Sequence, residues 1–401
     1  MQSAFTSSRL NSSWLMRLIA VVAMAFQLSA CGNSEPQATS EPAPAAEVPT
    51  FKVAWSIYVG WMPWDYMAKE GILKKWADKY GIKIDLVQVN DYIESINQYT
   101  AGKFDACGMT NMDALTIPAA GGVDTTALIV GDFSNGNDGI VLKGSGKKLA
   151  DIKGQKVNMV ELSVSHYLLA RALESVKLAE KDIKVVNTSD ADIVAAWGTK
   201  DVTAVVAWNP QLSVIKAVPG SSLVYDSSKI PGEIIDMMMA NTQTLKDNPK
   251  FGKALAGAWY ETMTIMSKSD AAGIAARTAM AKASGTDLAG FEGQLKTTKM
   301  FYKPAEAVTF TKSAALVKTM DYVRKFSFGH GLLGEGAKSV DVVGIRTSFS
   351  TRDPMTPTTH TMTAKTAAWM KVLGSPDNGM YLSTPGAPNH AAAICSATRT
   401  R

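Results

Sequence analysis

Phe51-Lys-Val-Ala-Trp-Ser-Ile-Tyr-Val-Gly-Trp-Met-Pro-Trp-Asp-Tyr-Met67 decides how the chain is read. Val53, Trp55 and Ile57 alternate with Lys52, Ala54 and Ser56, the period-two pattern of a strand. Gly60 breaks the run. Pro63 then stands where a first-turn helix residue loses nothing by lacking an N–H. From Trp64 to Tyr80, Trp64, Met67, Ala68, Ile72 and Trp76 recur at helical spacing and predict one helix. A strand, a glycine turn and a helix start leave free N–H groups pointing out of the corner. Tyr58, Trp61, Trp64 and Tyr66 crowd that corner, with Asp65 among them. Rings beside a carboxylate suit a flat or cationic ligand; the same rings would also serve as core.

Outward from this corner, strands and helices alternate over short loops. Strands are expected at 82–89, 104–109 and 127–130, with a helix at 92–101 capped by Asp91 and ended by Gly102. The polar stretch 131–139 reads as a loop. A second series follows, with strands at 139–142, 156–160, 182–186, 202–207, 223–225 and 233–240. Helices are expected at 166–176 and 193–198, the latter capped by Ser189 or Asp190. From Asn241 to about Arg324 the pattern reads as all helix. Such alternation predicts an α/β fold with a largely parallel sheet, whose ligands bind beyond the carboxyl ends of the strands.

Composition narrows the function. A net charge of +5 is mild and scattered, and no basic run with interleaved aromatics argues for nucleic acid. The cysteines are Cys31, Cys107 and Cys395, with neither a CxxC pair nor a histidine cluster of metal-ligand spacing. No metal or other cofactor is therefore expected. Residues 1–30 read as an export signal: Arg9 and Arg17 precede the apolar run Leu18 to Phe26, too short for a comfortable transmembrane helix. Leu28-Ser-Ala-Cys31 resembles a bacterial lipobox, which implies lipid on Cys31. Residues 31–50, rich in Ser, Pro, Ala and Glu, read as a flexible tether.

Asp132-Phe-Ser-Asn-Gly-Asn-Asp-Gly-Ile-Val141, Leu149-Ala-Asp-Ile-Lys-Gly154 and Val206-Ala-Trp-Asn-Pro-Gln211, in this order, resemble the extracytoplasmic solute-binding proteins of ABC importers in the nitrate/sulfonate/taurine class. The resemblance covers about residues 51–345. Within that class, the Gly60–Asp65 corner and the triple-methionine strand look most like the urea-carboxylase-related, urea/guanidine-type branch. It implies the two-lobed periplasmic-binding-protein fold (type II), each lobe a mixed sheet flanked by helices, with a helical C-terminal part. Lobe I would be 51–139 plus 236–345, and lobe II 140–235, closing over the ligand. It further implies a monomer on a lipid anchor in the periplasm or cell envelope, working with permease and ATPase subunits.

Carried over by position, the ligand-binding residues would be Trp61, Trp64, Asp65, Asn111, Asp113, Glu161, Ser163, Ser165, Trp208, Asn209 and Asp236. The loops that hold them contain no arginine and several acids, Asp138 included. Carboxylates accept from NH₂ groups or neutralise a cation, and tryptophan faces can hold a planar head group. That chemistry favours urea or guanidinium over an anion, the alternative being taurine, an alkanesulfonate or nitrate in the same role. Two further alternatives are a lipoprotein scaffold or sensor, and a thiamine-pyrimidine-synthase-like enzyme. The last needs a cysteine-rich motif that the chain lacks, so no catalytic residue is expected. From Arg346 to Arg401 the chain turns rich in Thr, Pro, Ala and Arg without a helical or strand period. Divergence, disorder or a shifted reading frame would each give that composition.

Overall fold

A computed structural model of the chain describes residues 47–348, 371–375 and 378–383. The expected signal at 1–30, the lipid on Cys31, most of the tether and most of 346–401 lie outside them. Among the described residues no helix is long and apolar enough to cross a membrane.

The opening corner folds much as its pattern predicts. Strand β1 (Thr50–Trp55) runs into a single 3-10 turn at Val59–Trp61 and then α1 (Met62–Lys69). The one helix expected from Trp64 to Tyr80 is two, because Gly71 adopts φ 72° between α1 and α2 (Ile72–Tyr80). Strand β2 (Lys83–Gln88) precedes α3 (Tyr92–Thr100), whose N-cap Asp91 accepts from the Glu94 N–H at 2.9 Å. Next come β3 (Ala106–Thr110), α4 (Asn111–Ala114) and β4 (Thr125–Ser134). β4 runs on through most of the stretch read as a polar loop. Its residues 131, 132 and 134 are buried in the sheet.

The second series is β5 (Asp138–Lys143), β6 (Lys156–Met159), α5 (Val164–Ser175), β7 (Lys184–Asn187), α6 (Ile193–Trp197), β8 (Ala204–Trp208), α7 (Gln211–Ala217), β9 (Ser221–Asp226) and β10 (Ile235–Asn241). Helices α8 (Thr242–Asp247), α9 (Pro249–Met266), α10 (Ala271–Ala283) and α11 (Leu288–Leu295) follow. Strand β11 (Thr298–Met300) interrupts the stretch expected to be all helix and pairs with β4. The order continues with α12 (Pro304–Thr311), α13 (Ala314–Gly329), β12 (Gly344–Ser348), β13 (Lys371–Ser375) and β14 (Asn378–Ser383). β13 and β14 fall where the sequence shows no strand period.

The strands form two mixed sheets. The larger orders β12-β14-β4-β10-β3-β1-β2, and the smaller β7-β6-β8-β5-β9. β1 is parallel to β2 and β3, whereas β10 is antiparallel to β3 and β4. The sheet is thus less parallel than the simple alternation suggested. The chain leaves the larger sheet at Ser134, enters the smaller at Asp138, and returns between Asp226 and Ile235. Ser227 ties the two passages together: its hydroxyl lies 2.6 Å from that of Ser134 and accepts from the Gly136 N–H at 2.7 Å.

Apolar burial holds each layer. Met237, Met238 and Met239 fill the middle of the larger sheet and are wholly covered. Phe51 stacks on Phe251 at 4.5 Å, which pins β1 to α9. Rings of this size each remove enough apolar surface from water to contribute about 1.5–3 kcal/mol.

Candidate functional site

Two rows of register partners face each other where the sheets meet. In the larger sheet, Asp236 at the start of β10 pairs with Thr110 at the end of β3 and with Asp132 on β4. In the smaller sheet, Asp138 at the start of β5 pairs with Trp208 at the end of β8. A cleft of ≈ 280 Å³, part of it open to solvent, lies between them. Tyr58, Trp61, Tyr92, Thr110, Asp138, Val164, Trp208, Ile234 and Asp236 line it.

Four rings form a continuous aromatic wall. Tyr58 meets Trp61 edge-on at 5.2 Å, Trp61 meets Tyr92 at 5.8 Å, and Tyr92 meets Trp208 edge-on at 5.6 Å. Trp61 lies over Gly108 of β3, where even a Cβ would make only ordinary van der Waals contact with its ring. The wall reaches across the cleft, since Tyr92 begins α3 beside the larger sheet and Trp208 ends a strand of the smaller one. Further ties cross with it. The Tyr92 N–H donates to Asp190 Oδ1 at 3.2 Å, and the Val59 N–H to the Asn209 carbonyl at 3.4 Å.

The charge is all of one sign. Asp113, Asp132, Asp138 and Asp236 are buried in or directly behind the wall, and neither lysine nor arginine lines the cleft. Burial pushes the Asp138 carboxyl up to about 7, against a hydrogen bond from Ser134. Asp132 is likewise raised by burial to about 7, although Tyr58 Oη donates to it at 2.9 Å. Asp236 is raised well above the carboxylate range by burial and by its neighbour Asp132. Burial also raises Asp113, to about 6. The Tyr92 hydroxyl at 2.5 Å and the Thr110 hydroxyl at 2.8 Å oppose that rise. The Val164 N–H at the start of α5, outside strict hydrogen-bond geometry, favours the charged form of Asp113 too. Among the described residues no group of three or more His, Cys, Asp or Glu is arranged to hold a metal ion.

The residues expected from sequence divide sharply. Trp61, Trp208 and Asp236 line the cleft. Asp113 stands directly behind Tyr92 and Thr110. Trp64 is elsewhere: it is buried against Trp259 of α9 at 5.0 Å. Asp65 is also elsewhere, in an i,i+4 pair with Lys69 at 2.8 Å on α1. Glu161 is exposed beside Leu162, which has φ 61°. Asn111 is spent on the backbone, donating to the Glu233 carbonyl and accepting from the Ile235 N–H, both at 3.0 Å. Ser163 caps α5, accepting from the Ser165 N–H at 3.1 Å. Ser165 is buried with a hydroxyl that has no partner. Asn209 binds Asn137, Ser213 and Thr297 and precedes a cis bond to Pro210. Tyr92 and Val164 were not expected at the site, whereas Thr110 and Asp132 stand in the stretches 110–113 and 132–138 that the strand-end rule puts on the ligand rim. Tyr58 and Asp138 carried a signal, as members of the aromatic corner and of the acidic loops.

A family profile described as NMT1/THI5 like matches residues 65–269. The chain belongs to the NMT1/THI5-like family. Its members elsewhere help to frame the cleft. A Brucella abortus protein, whose name marks it as a binding protein without giving a ligand, is 26% identical over 181 residues, covering 44% of this chain and 56% of that protein. The taurine-binding periplasmic protein of Escherichia coli is 21% identical over 152 residues, covering 37% and 47%. The chain thus spans about half the length of these relatives. The alkanesulfonate-binding protein SsuA of Xanthomonas axonopodis pv. citri, solved with MOPS, superimposes with a TM-score of 0.62 at 17% identity. That match covers 73% of this chain and 96% of SsuA. The NMT1/THI5-like chain therefore has the periplasmic-binding-protein fold, with two mixed sheets flanked by helices.

Proposed function

We propose that the protein is the solute-binding component of an ABC importer, and that its cleft takes a small, planar, NH-rich solute of the guanidinium type. The two sheets are the cores of two lobes that close over the solute, which the permease and ATPase subunits then receive. A location in the periplasm or cell envelope, on a lipid at Cys31, fits the same role. The observation that carries the ligand class is the buried pair of Asp236 and Asp138 beside four rings, with no basic side chain in the wall. A buried carboxylate without a partner is costly, so the site is neutralised either by protons or by a cation. A guanidinium ion supplies N–H donors for the carboxyls and a flat face for Trp61 or Trp208. Each ring contact contributes about 0.5–2 kcal/mol. Neutral urea keeps the hydrogen bonds and loses the charge term, so it binds more weakly.

The second reading is an anionic solute, favoured by the names of relatives that hold taurine or alkanesulfonate. Anions are usually held by helix N-termini or cationic side chains. Here the start of α5 faces the protein's own Asp113. Thermal unfolding with guanidinium, urea, taurine and nitrate tests the choice. A ligand at a hundred times its Kd stabilises by about 2.7 kcal/mol. Guanidinium is expected to raise the midpoint most, and a rise with taurine or nitrate alone would reverse the assignment.

A further inference from the structure

We propose that Asp132 and Asp236 form a proton-exchange pair: a cationic solute entering the cleft displaces the proton that the two carboxyls share, and that proton leaves to solvent. The inference rests on reading the cleft as a cation site, and it adds a stoichiometry to it. The two residues are register partners on β4 and β10, and both are buried. Tyr58 Oη occupies Asp132 Oδ1 at 2.9 Å. Oδ2 of Asp132 and Oδ2 of Asp236 are each buried with no protein donor against them. One proton held between the carboxyls satisfies both orphans, and two carboxylates this close in a dry site cannot both ionise.

The groups facing the pair cannot do the same job. They are Tyr58 from the opening turn, Asp138 from β5 and Tyr302 just after β11. None carries a positive charge. Asp236 reaches the cleft wall while Asp132 lies behind it, so a solute meets the pair from one side. The exchange balances simply. One O–H bond of the carboxylic acid breaks, its proton goes to water, and the cation's N–H groups donate to Asp236, the member of the pair on the cleft wall, while its charge replaces that of the proton. The charge on the site is the same before and after. Burial holds both carboxyls far enough above their usual range for the proton to be present in the empty cleft near neutral pH.

Titration of the purified protein with guanidinium chloride, in two buffers of different ionisation heat at pH 6, reads the exchange directly. The expected result is about one proton released per guanidinium bound. Affinity should rise about tenfold per pH unit while the empty cleft holds the shared proton, and level off once that proton is lost. Asp236→Asn should remove the release, while Asp65→Asn, on α1 away from the cleft, should keep it. Because Asp236→Asn risks misfolding, infrared difference spectra of the unaltered protein serve as a second readout. A protonated carboxyl band should vanish when guanidinium is added. Guanidinium binding without proton release and without loss of that band overturns the pair and leaves the cation site standing. No guanidinium binding at any pH overturns the cation site, and the exchange with it.

Discussion

Tyr92 and Trp208 meet edge to face at 5.6 Å, one from the larger sheet's side of the cleft and one from the smaller. No other ring pair in the wall joins the two sheets, because Tyr58, Trp61 and Tyr92 all belong to the first. Removing Trp208 therefore takes away both a ring for the solute and a contact that holds the sheets together. Trp208→Ala is expected to weaken guanidinium binding about 3–30-fold, in line with a ring contact of roughly 0.5–2 kcal/mol, as read by calorimetry.

The aromatic corner contains a control. Trp64→Ala should leave affinity unchanged but lower stability by about 3–5 kcal/mol, because its ring packs on Trp259 in the core. Denaturant unfolding alongside binding separates the two effects.

Asp65→Asn is expected to change neither property by much. Its partner Lys69 is largely exposed, and such surface pairs contribute about 0–1 kcal/mol. An affinity loss beyond about threefold would place Asp65 on the solute after all.

Gly60 is needed for space. A Cβ there would run into Asp132 Oδ2 and the Tyr58 ring. Gly60→Ala is expected to destabilise by about 1–3 kcal/mol, the usual result of overpacking, and to weaken binding more than its stability loss explains. Thermal unfolding and titration of the same variant test both parts.

The empty protein should also lose stability as the pH rises. Asp113, Asp132 and Asp138 have folded values of about 6, 7 and 7, above their ordinary 3.8. The folded state therefore binds more protons than the unfolded one between about pH 4 and 7. Their contribution is full below about pH 4 and is lost as pH rises through their folded values. The unfolding free energy without solute should fall from pH 5 to pH 8 by an amount on the order of a few kcal/mol, and the unfolding midpoint should fall with it. A rising midpoint would contradict the protonated state of these acids.

Much of the fold was legible because its signals are local. Alternating Val53 and Trp55 make a strand, although Ile57 falls just past its end, Asp91 caps α3, and Gly102 stops it, each through neighbours in sequence. The site was less legible because its partners are remote. Asp132 finds Tyr58 across 74 residues and Asp236 across the β4–β10 register. No local pattern announces either. Trp64 and Asp65 looked equivalent to Trp61 in sequence, yet helical geometry in α1 turns them onto α9 and towards Lys69. Asn111 and Asn209 also looked like free ligands, but the backbone at Glu233 and Ile235 uses the Asn111 side chain, and Thr297 and Ser213 use that of Asn209. Among the acids the outcome was divided: Asp138 and Asp236 line the cleft, whereas Asp65 and Glu161 do not.

The ligand class is tested most directly by calorimetric titration of the purified protein with guanidinium, urea, taurine and nitrate under identical conditions at pH 8. Saturable binding of guanidinium, weaker binding of urea and none of either anion is the expected result. Saturable binding of taurine or nitrate with no heat from guanidinium would contradict the carboxylate and aromatic reading of the cleft.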